Sequence, residues 1–269
     1  MSIPTGLALA TLVERHQAEA LHFLPFERLR VADGWAVCSG PGSHLNKAAG
    51  LGLTRPVDAA DLDALVAFFE TRGVEPKVEL SSFAEPALLR ALADRGLVLE
   101  GLETVLVRAV EPVPAPPTPP DVTLVHVRPT DEAALREAVT TSAQGFVPEG
   151  GEVAAELLDF ALAVARLPVA DTFVARADGR AVGAGTAVTS DGVTGLFGTS
   201  VAPAYRRRGI QQALIAARLA GGRARGSRLA YIVSLPGIAT ERNAARLGFA
   251  LAYTRVVLVK RGPGLAPSP

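Results

Sequence analysis

The sequence predicts an α/β (α+β) fold made of two similar halves, and three observations lead to this prediction. Strand-like and helix-like segments alternate along the chain. The segment Glu111–Pro120 has six prolines in ten residues, so it is stiff and cannot join a helix or a central strand. Both halves close on the same succession of elements, which is strand, helix, glycine and strand.

In the second half the patterns predict elements in the order β-α-α-β-β-β-α-β-α-β. Two Asp-Gly pairs, Asp178-Gly179 and Asp191-Gly192, each lie between apolar runs and indicate tight hairpin turns. Thr130 is the predicted N-cap of the first helix, with acidic residues in the turn that follows.

The two halves can be aligned at their closing segments. When Lys77–Arg108 is set against Arg228–Lys260, Gly96 falls on Gly248 and two apolar strands coincide. We therefore predict two copies of one fold, with domains at 1–111 and 121–262. The proline-rich linker is 112–120, and 263–269 is predicted to be a flexible tail.

Composition excludes several classes of protein. The chain has 27 basic and 27 acidic residues, which argues against a protein that coats nucleic acid. A single cysteine, Cys38, excludes an intramolecular disulfide and a multi-cysteine metal site. The first residues lack a basic leader, and no apolar run approaches the ~20 residues of a membrane span. We expect a cytoplasmic protein, a monomer or a homodimer, with no metal and no nucleic-acid or membrane partner.

The most informative stretch is Val201–Leu219, VAPAYRRRGIQQALIAARL. Arg206, Arg207 and Arg208 stand just before a helix, where the helix dipole already places positive charge. A strand, a turn with Gly209 and a helix start together direct backbone N–H groups at one point. A multiply charged phosphate bound there would reverse the local electrostatics, so the turn predicts an anion site. The later arginines, from Arg218 to Arg228, are expected to form a solvated face.

This stretch resembles motif A of the Gcn5-related N-acetyltransferases (GNAT), whose loop follows Arg/Gln-x-x-Gly-x-Gly/Ala. Arg206, Gly209 and Gln211 occupy the motif positions, although Gln211 replaces the usual small residue. The order of elements and the closing RLGFALAYTRV are also similar to that family across nearly all of 121–260. The paired halves resemble its tandem arrangement, which implies that each half has a mixed, mostly antiparallel central sheet flanked by helices.

The resemblance implies that the anion is the pyrophosphate of acetyl-CoA, which acts as the acyl donor. The implied cofactor-binding residues lie at the end of the splayed fourth strand and in the turn after it: Thr199, Ser200, Val201, Arg206, Arg207, Arg208, Gly209, Ile210 and Gln211. In the first half, the matching passage keeps Pro56 but has Asp58, Asp61 and Asp63 where the arginines would be. Carboxylates there would repel pyrophosphate, so this half is expected to be degenerate and not to bind CoA.

The catalytic residues are not determined by the sequence. The family's usual general acid is a tyrosine, and its position is held by Ala244. Asn243, Glu149 and Glu152 are weak candidates, and Thr240 is expected to cap a helix. Two functions stay open: an N-acetyltransferase acting on a small amine, amino acid or peptide N-terminus, and a catalytically silent acyl-CoA-binding sensor or scaffold.

Overall fold

The computed structural model describes residues 3–111, 118–148 and 151–267 and has the predicted mixed α/β architecture. Its contacts divide the chain into two compact units. Unit 1 comprises Met1–Val105 and Leu251–Pro269, and unit 2 comprises Leu106–Ala250.

The elements of the described part of unit 1 are α1 (Gly6–His22), β1 (Glu27–Val31), β2 (Gly34–Cys38), β3 (Lys47–Ala49), α2 (Ala59–Glu70), β4 (Lys77–Ser81), α3 (Pro86–Ala93), β5 (Val98–Ala109) and β11 (Ala250–Val259). Its strands lie in the order β1-β2-β3-β4-β11-β5. The last residues of β5 belong to unit 2. A core that includes Leu65, Phe69 and Val78 fills the space between the helices and the strands.

A buried ionic cluster joins α1 to the strands of unit 1. Arg255 on β11 lies 3.1 Å from a carboxylate oxygen of Glu79 and 2.6 Å from one of Glu103. Glu14 on α1 accepts a hydrogen bond of 2.7 Å from the Tyr253 hydroxyl. Burial raises the pKa of Glu14, against the opposing effect of Arg255.

The elements of the described part of unit 2 are β6 (Val122–Val127), α4 (Glu132–Gln144), α5 (Ala155–Ala165), β7 (Ala170–Ala177), β8 (Arg180–Ser190), β9 (Val193–Val201), a 3-10 turn (Pro203–Tyr205), α6 (Ile210–Ala224), β10 (Leu229–Ser234) and α7 (Ala239–Arg246). Together with the end of β5, its strands lie in the order β5-β10-β9-β8-β7-β6. Strands β6 to β9 pair antiparallel, and β9 pairs with β10 in parallel.

The element order predicted for the second half is confirmed. Both Asp-Gly pairs form hairpin turns in which the glycine has a φ of 76°. One detail of the prediction is wrong: Asp131, not Thr130, caps α4, because its carboxylate accepts the Ala134 N–H at 3.0 Å. The charged side chain one residue later makes the bond that was expected of the threonine.

The contacts group the last strand with unit 1, where Arg255 lies opposite Ser81 and Val259 opposite Lys77 in the antiparallel pair of β11 and β4. The boundaries 1–111 and 121–262 therefore stay a prediction drawn from the sequence pattern. Of the predicted linker, residues 112–117 lie outside the described residues. The predicted flexible tail is held at Ala266, which bridges to Val74.

Candidate active site

The turn between β9 and α6 has a left-handed backbone conformation at two residues. Gly209 is the N-cap of α6 with a φ of 82°, and Arg207 also has a positive φ, 64°. No side chain caps the helix at Gly209. The Ala213 N–H bonds back to the Gly209 carbonyl at 3.0 Å, so the N–H groups of the turn before it have no acceptor within the helix. The left-handed Gly209 and the uncapped N–H donors at the start of α6 therefore lie together in this turn.

The three arginines of the turn play different parts. Arg206 donates through Nε to the Val201 carbonyl at 3.0 Å, which ties the turn to the end of β9. Arg208 donates to both carboxylate oxygens of Asp121, at 2.6 and 2.7 Å. Arg207 is exposed. Among the described residues, the acid that pairs with an arginine of this turn is Asp121, which faces Arg208.

Strand β9 separates from β10 before it reaches the turn. The ladder between them joins Val193–Gly195 to Leu229–Tyr231, while β9 continues to Val201. The register between β8 and β9 shifts between Ala184 and Thr186, next to Gly198, whose φ is 55°. The backbone edge of β9 that faces away from β8 is therefore free of the β10 ladder over the predicted residues Thr199, Ser200 and Val201.

The side chains of two predicted site residues are engaged within unit 2. The Ser200 hydroxyl donates to the Ser142 carbonyl at 2.7 Å, and the Thr199 hydroxyl accepts from Arg218 at 2.5 Å. These residues can offer a ligand their backbone groups rather than their side chains. Ile210, another predicted residue, is buried in the core.

Gln211 and Asn243 join α6 to α7. The Asn243 amide donates to the Gln211 side-chain oxygen, and the Gln211 amide donates to the Thr240 hydroxyl at 3.2 Å. Asn243 also accepts hydrogen bonds from Gln212 at 3.2 Å and from Arg246 at 3.0 Å. Thr240 does not cap α7 as expected, since the N-cap is Ile238 and makes no side-chain bond. No local pattern in the sequence predicted this network.

The other catalytic candidates have no supporting contacts in the described residues. Glu152 is exposed before the start of α5, and Glu149 lies outside the described residues. Ala244 has none of its surface exposed and packs in a core with Ile215 and Phe249. A tyrosine would not fit there without rearrangement of that core.

Arg218 is a residue whose role the sequence reasoning missed. Instead of lying on a solvated face, its side chain is fully buried beneath β8 and β9. It donates hydrogen bonds of 3.2 Å to the carbonyls of Thr186 and Phe197, in addition to its bond to Thr199. Burial lowers the pKa of the Arg218 guanidinium to about 9. The sequence feature that indicates this burial is the spacing of Arg218. It continues the buried row of Ile210 and Leu214 at intervals of one helical turn.

The turn of unit 1 that the sequence comparison of the two halves predicts as the counterpart contains an anion of the protein itself. The Asp33 carboxylate accepts N–H groups from Gly52 at 2.8 Å, Leu53 at 3.1 Å, Thr54 at 2.7 Å and Arg55 at 3.3 Å. Burial alone would raise the pKa of Asp33, but these donors, led by Thr54, lower it. The helix that follows, α2, is capped by Asp58, which accepts the Asp61 N–H at 2.8 Å.

Two further properties concern the whole of the described chain. Within 3–111, 118–148 and 151–267, no three His, Cys, Asp or Glu side chains are grouped so that they could hold a metal ion. None of the helices in these ranges is long and apolar enough to cross a membrane.

Cys38 is buried, and burial raises the pKa of its thiol, which makes it a poor nucleophile.

Comparison with known proteins relates the chain to a family. A family model described as "Probable histone acetyltransferase Rv0428c C-terminal" matches residues 13–256. None of the curated proteins matches the sequence significantly.

Solved structures share the fold at low sequence identity. A GCN5-related N-acetyltransferase from Kribbella flavida is 22% identical with a TM-score of 0.70, over 96% of this chain and 98% of that one. A putative GNAT-family acetyltransferase from Novosphingobium aromaticivorans is 16% identical with a TM-score of 0.53, over 85% and 88% of the two chains.

A tandem GNAT protein from the clavulanic acid biosynthesis pathway is 16% identical with a TM-score of 0.58, over 85% and 82% of the chains. The family model spans most of the chain, and the neighbours share its architecture. The chain therefore belongs to the family described as probable histone acetyltransferase Rv0428c C-terminal, and it shares the fold of GCN5-related N-acetyltransferases.

Proposed function

We propose that the protein is an N-acetyltransferase that moves an acetyl group from acetyl-CoA directly to a small amine, an amino acid or a peptide N-terminus. The observation that carries this proposal is the uncapped start of α6, which follows the separated end of β9. A strand edge and a helix N-terminus in direct succession suit a ligand that joins an extended amide-containing arm to a pyrophosphate.

The pyrophosphate binds to the backbone N–H groups of Arg207 to Gln211. These donors lie at the positive end of the α6 dipole, and Gly209 has no Cβ to keep the ligand away. Arg207 and Arg206 add positive charge beside them, and Arg208 does so in balance with Asp121. The negative charge of the ligand offsets the repulsion between the three arginines and the positive end of the helix dipole.

The pantetheine arm lies along Thr199, Ser200 and Val201. Its amide groups pair with the backbone groups of β9 that the β10 ladder leaves available. Because the arm runs from the turn back along β9, its sulphur end lies toward Gly198.

The chemistry requires little from side chains. The neutral amine nitrogen attacks the thioester carbonyl carbon, the C–N bond forms and the C–S bond breaks. The amine proton passes to water, and water returns a proton to the departing thiolate. This route suits the chain because Ala244 offers no acidic group and is buried in the core. Backbone N–H donors of the separated β9 stabilise the negative oxygen that develops on the carbonyl.

Unit 1 does not bind CoA in this proposal. The Asp33 carboxylate already accepts the N–H groups of its turn, and Asp58 caps the helix that follows. A second anion would have to displace the first.

The second candidate function, favoured by the buried Ala244, is an acyl-CoA-binding sensor or scaffold without catalysis. The release of CoA thiol from acetyl-CoA, measured with a panel of amines, amino acids and peptides, separates the two functions. Turnover with any member supports the enzyme. Tight CoA binding without turnover across a broad panel supports the sensor.

The binding site itself is tested by Gly209→Glu, which introduces a bulky anion at the start of α6. We expect acetyl-CoA binding, measured by isothermal titration calorimetry, to be lost. Gly179→Glu is the matched control, because Gly179 has a similar φ of 76° in the β7–β8 hairpin and open space around it. Unchanged affinity in Gly209→Glu, or equal losses in both variants, would refute the assignment.

A further inference from the structure

A cavity of about 80 Å³ lies between helices α4 and α5 and strands β7, β8 and β9 of unit 2. One wall is formed by the two helices, and the floor is formed by the strands. Phe146, which is 62% exposed, is among the lining residues, so the cavity reaches the surface there. The lining also includes Ala161 on α5 and Gly198 on β9.

The chemistry of this lining is apolar. Its polar side chains are hydroxyls that already have partners within the protein. Thr172 and Thr186 bond to each other at 3.0 Å, and Ser142 donates to the Gly198 carbonyl. Each of the described lining residues is uncharged. An uncharged aliphatic group would gain from burial here, whereas a carboxylate or an ammonium would lose its hydration without a partner.

The position of the cavity connects it to the acyl group. Gly198 lines the cavity, and the next residue, Thr199, begins the segment proposed to bind pantetheine. The turn that holds the pyrophosphate follows Val201, so the arm runs along β9 from Val201 toward Gly198. The group bonded to the pantetheine sulphur is therefore the part of the ligand that arrives at the cavity.

The volume sets the size of the group. A single water molecule needs about 10–15 Å³ of space open to its centre, so about 80 Å³ of such space admits a chain of several carbon-sized groups. A butyryl chain has three carbons beyond its carbonyl, and an acetyl group has one.

We propose that this cavity receives the acyl chain of the donor, and that it favours short, uncharged chains such as butyryl over acetyl. The inference rests on the proposed acyl-CoA site of unit 2. It depends on the apolar lining, the cavity volume and the adjacency of Gly198 and Thr199.

The first experiment compares CoA, acetyl-CoA, butyryl-CoA and succinyl-CoA by calorimetry with no acceptor present. Each buried carbon is expected to tighten binding about fourfold, so butyryl-CoA should bind about 15-fold more tightly than acetyl-CoA. Succinyl-CoA, which places a carboxylate where butyryl has its methyl group, should lose this gain. Equal affinities for acetyl-CoA and butyryl-CoA, or tighter binding of succinyl-CoA, would overturn the inference and leave the CoA site intact. Failure to bind any of the four ligands would instead overturn the proposed function.

The second experiment fills the cavity with Ala161→Leu on α5. The control is Ala163→Leu, because Ala163 is partly buried on the same helix but does not line the cavity. Ala161→Leu should reduce butyryl-CoA affinity to that of acetyl-CoA without changing the affinity for CoA, which also shows that the variant is folded. Retention of the butyryl preference in Ala161→Leu would overturn the inference. A second result would also overturn the inference: Ala161→Leu could leave the affinities for all acyl-CoA ligands unchanged and slow amine acetylation. The cavity would then bind the acceptor amine rather than the acyl chain.

Discussion

Arg218 supports the irregular part of β9 from the neighbouring helix α6. Its guanidinium reaches the carbonyls of Thr186 and Phe197 and the Thr199 hydroxyl, on both sides of the left-handed Gly198. From α4, Ser142 donates to the Gly198 carbonyl itself. Two side chains from different helices thus hold the irregular part of the strand, where regular pairing between β8 and β9 is interrupted.

Replacing Arg218 by methionine should therefore destabilise the protein. The two carbonyls and the hydroxyl would lose their buried donors, at about 1–3 kcal/mol each, offset in part because a desolvated cation is also removed. We expect the free energy of unfolding in urea to fall by about 2–4 kcal/mol. Arg223→Met, an exposed position on the same helix, should change it by less than about 0.5 kcal/mol. Equal midpoints for Arg218→Met and the wild type would contradict the role given to Arg218.

At the scale of elements, the two turns that join a strand to a helix differ in what fills them. In unit 2, the turn before α6 ends in an uncapped helix with arginines beside it. In unit 1, Asp33 fills the turn at Gly52–Arg55 and Asp58 caps α2. The same type of connection is therefore the proposed ligand site in one unit and an internally satisfied structure in the other.

Because Asp33 holds the turn of unit 1 as an ionised carboxylate, its contribution to the free energy of unfolding should depend on pH. Its pKa is lowered in the folded state, so its stabilising effect is present above the unfolded pKa of 3.8 and is lost as the pH falls through the folded value. Asp33→Ala should lower the free energy of unfolding by roughly 1 kcal/mol at pH 7, as loss of a capping carboxylate does. The difference from the wild type should narrow below pH 4.

Urea unfolding at a series of pH values measures this effect. Asp94→Ala, which removes an exposed carboxylate at the end of α3, should show no such pH-dependent difference. A gap between Asp33→Ala and the wild type that is constant from pH 7 to pH 3 would show that the ionised carboxylate does not hold the turn.

The succession of elements was predictable because each carries a local signal. Apolar periodicity marks the helices and strands, and Asp-Gly pairs mark the hairpins. The turn at Gly209 was also visible, since three arginines before a helix are unusual without an anion. By contrast, Asp33 was not predicted, because its partners lie in a distant loop and nothing local distinguishes it from a surface acid. The prediction for Arg218 was wrong because it relied on the charge of the side chain, which favours a solvated face. The position of Arg218 in the buried row of α6 indicates burial instead.

At the scale of the whole molecule, the chain has two compact units with different internal chemistry. Unit 1 is built around the Arg255 cluster with buried carboxylates, and its turn is closed by Asp33. Unit 2 has the separated strand, the uncapped helix and the apolar cavity. We therefore expect one CoA molecule per chain, bound to unit 2.

A crystal structure of the protein with acetyl-CoA is the most direct test of this account. We predict pyrophosphate oxygens within about 3.2 Å of the backbone nitrogens of Gly209 and Gln211, the range of an N–H···O hydrogen bond. The pantetheine arm should lie along Thr199–Val201, and the turn at Gly52–Arg55 should still hold the Asp33 carboxylate. Acetyl-CoA bound at Gly52–Arg55, or away from the start of α6, would contradict the central claim.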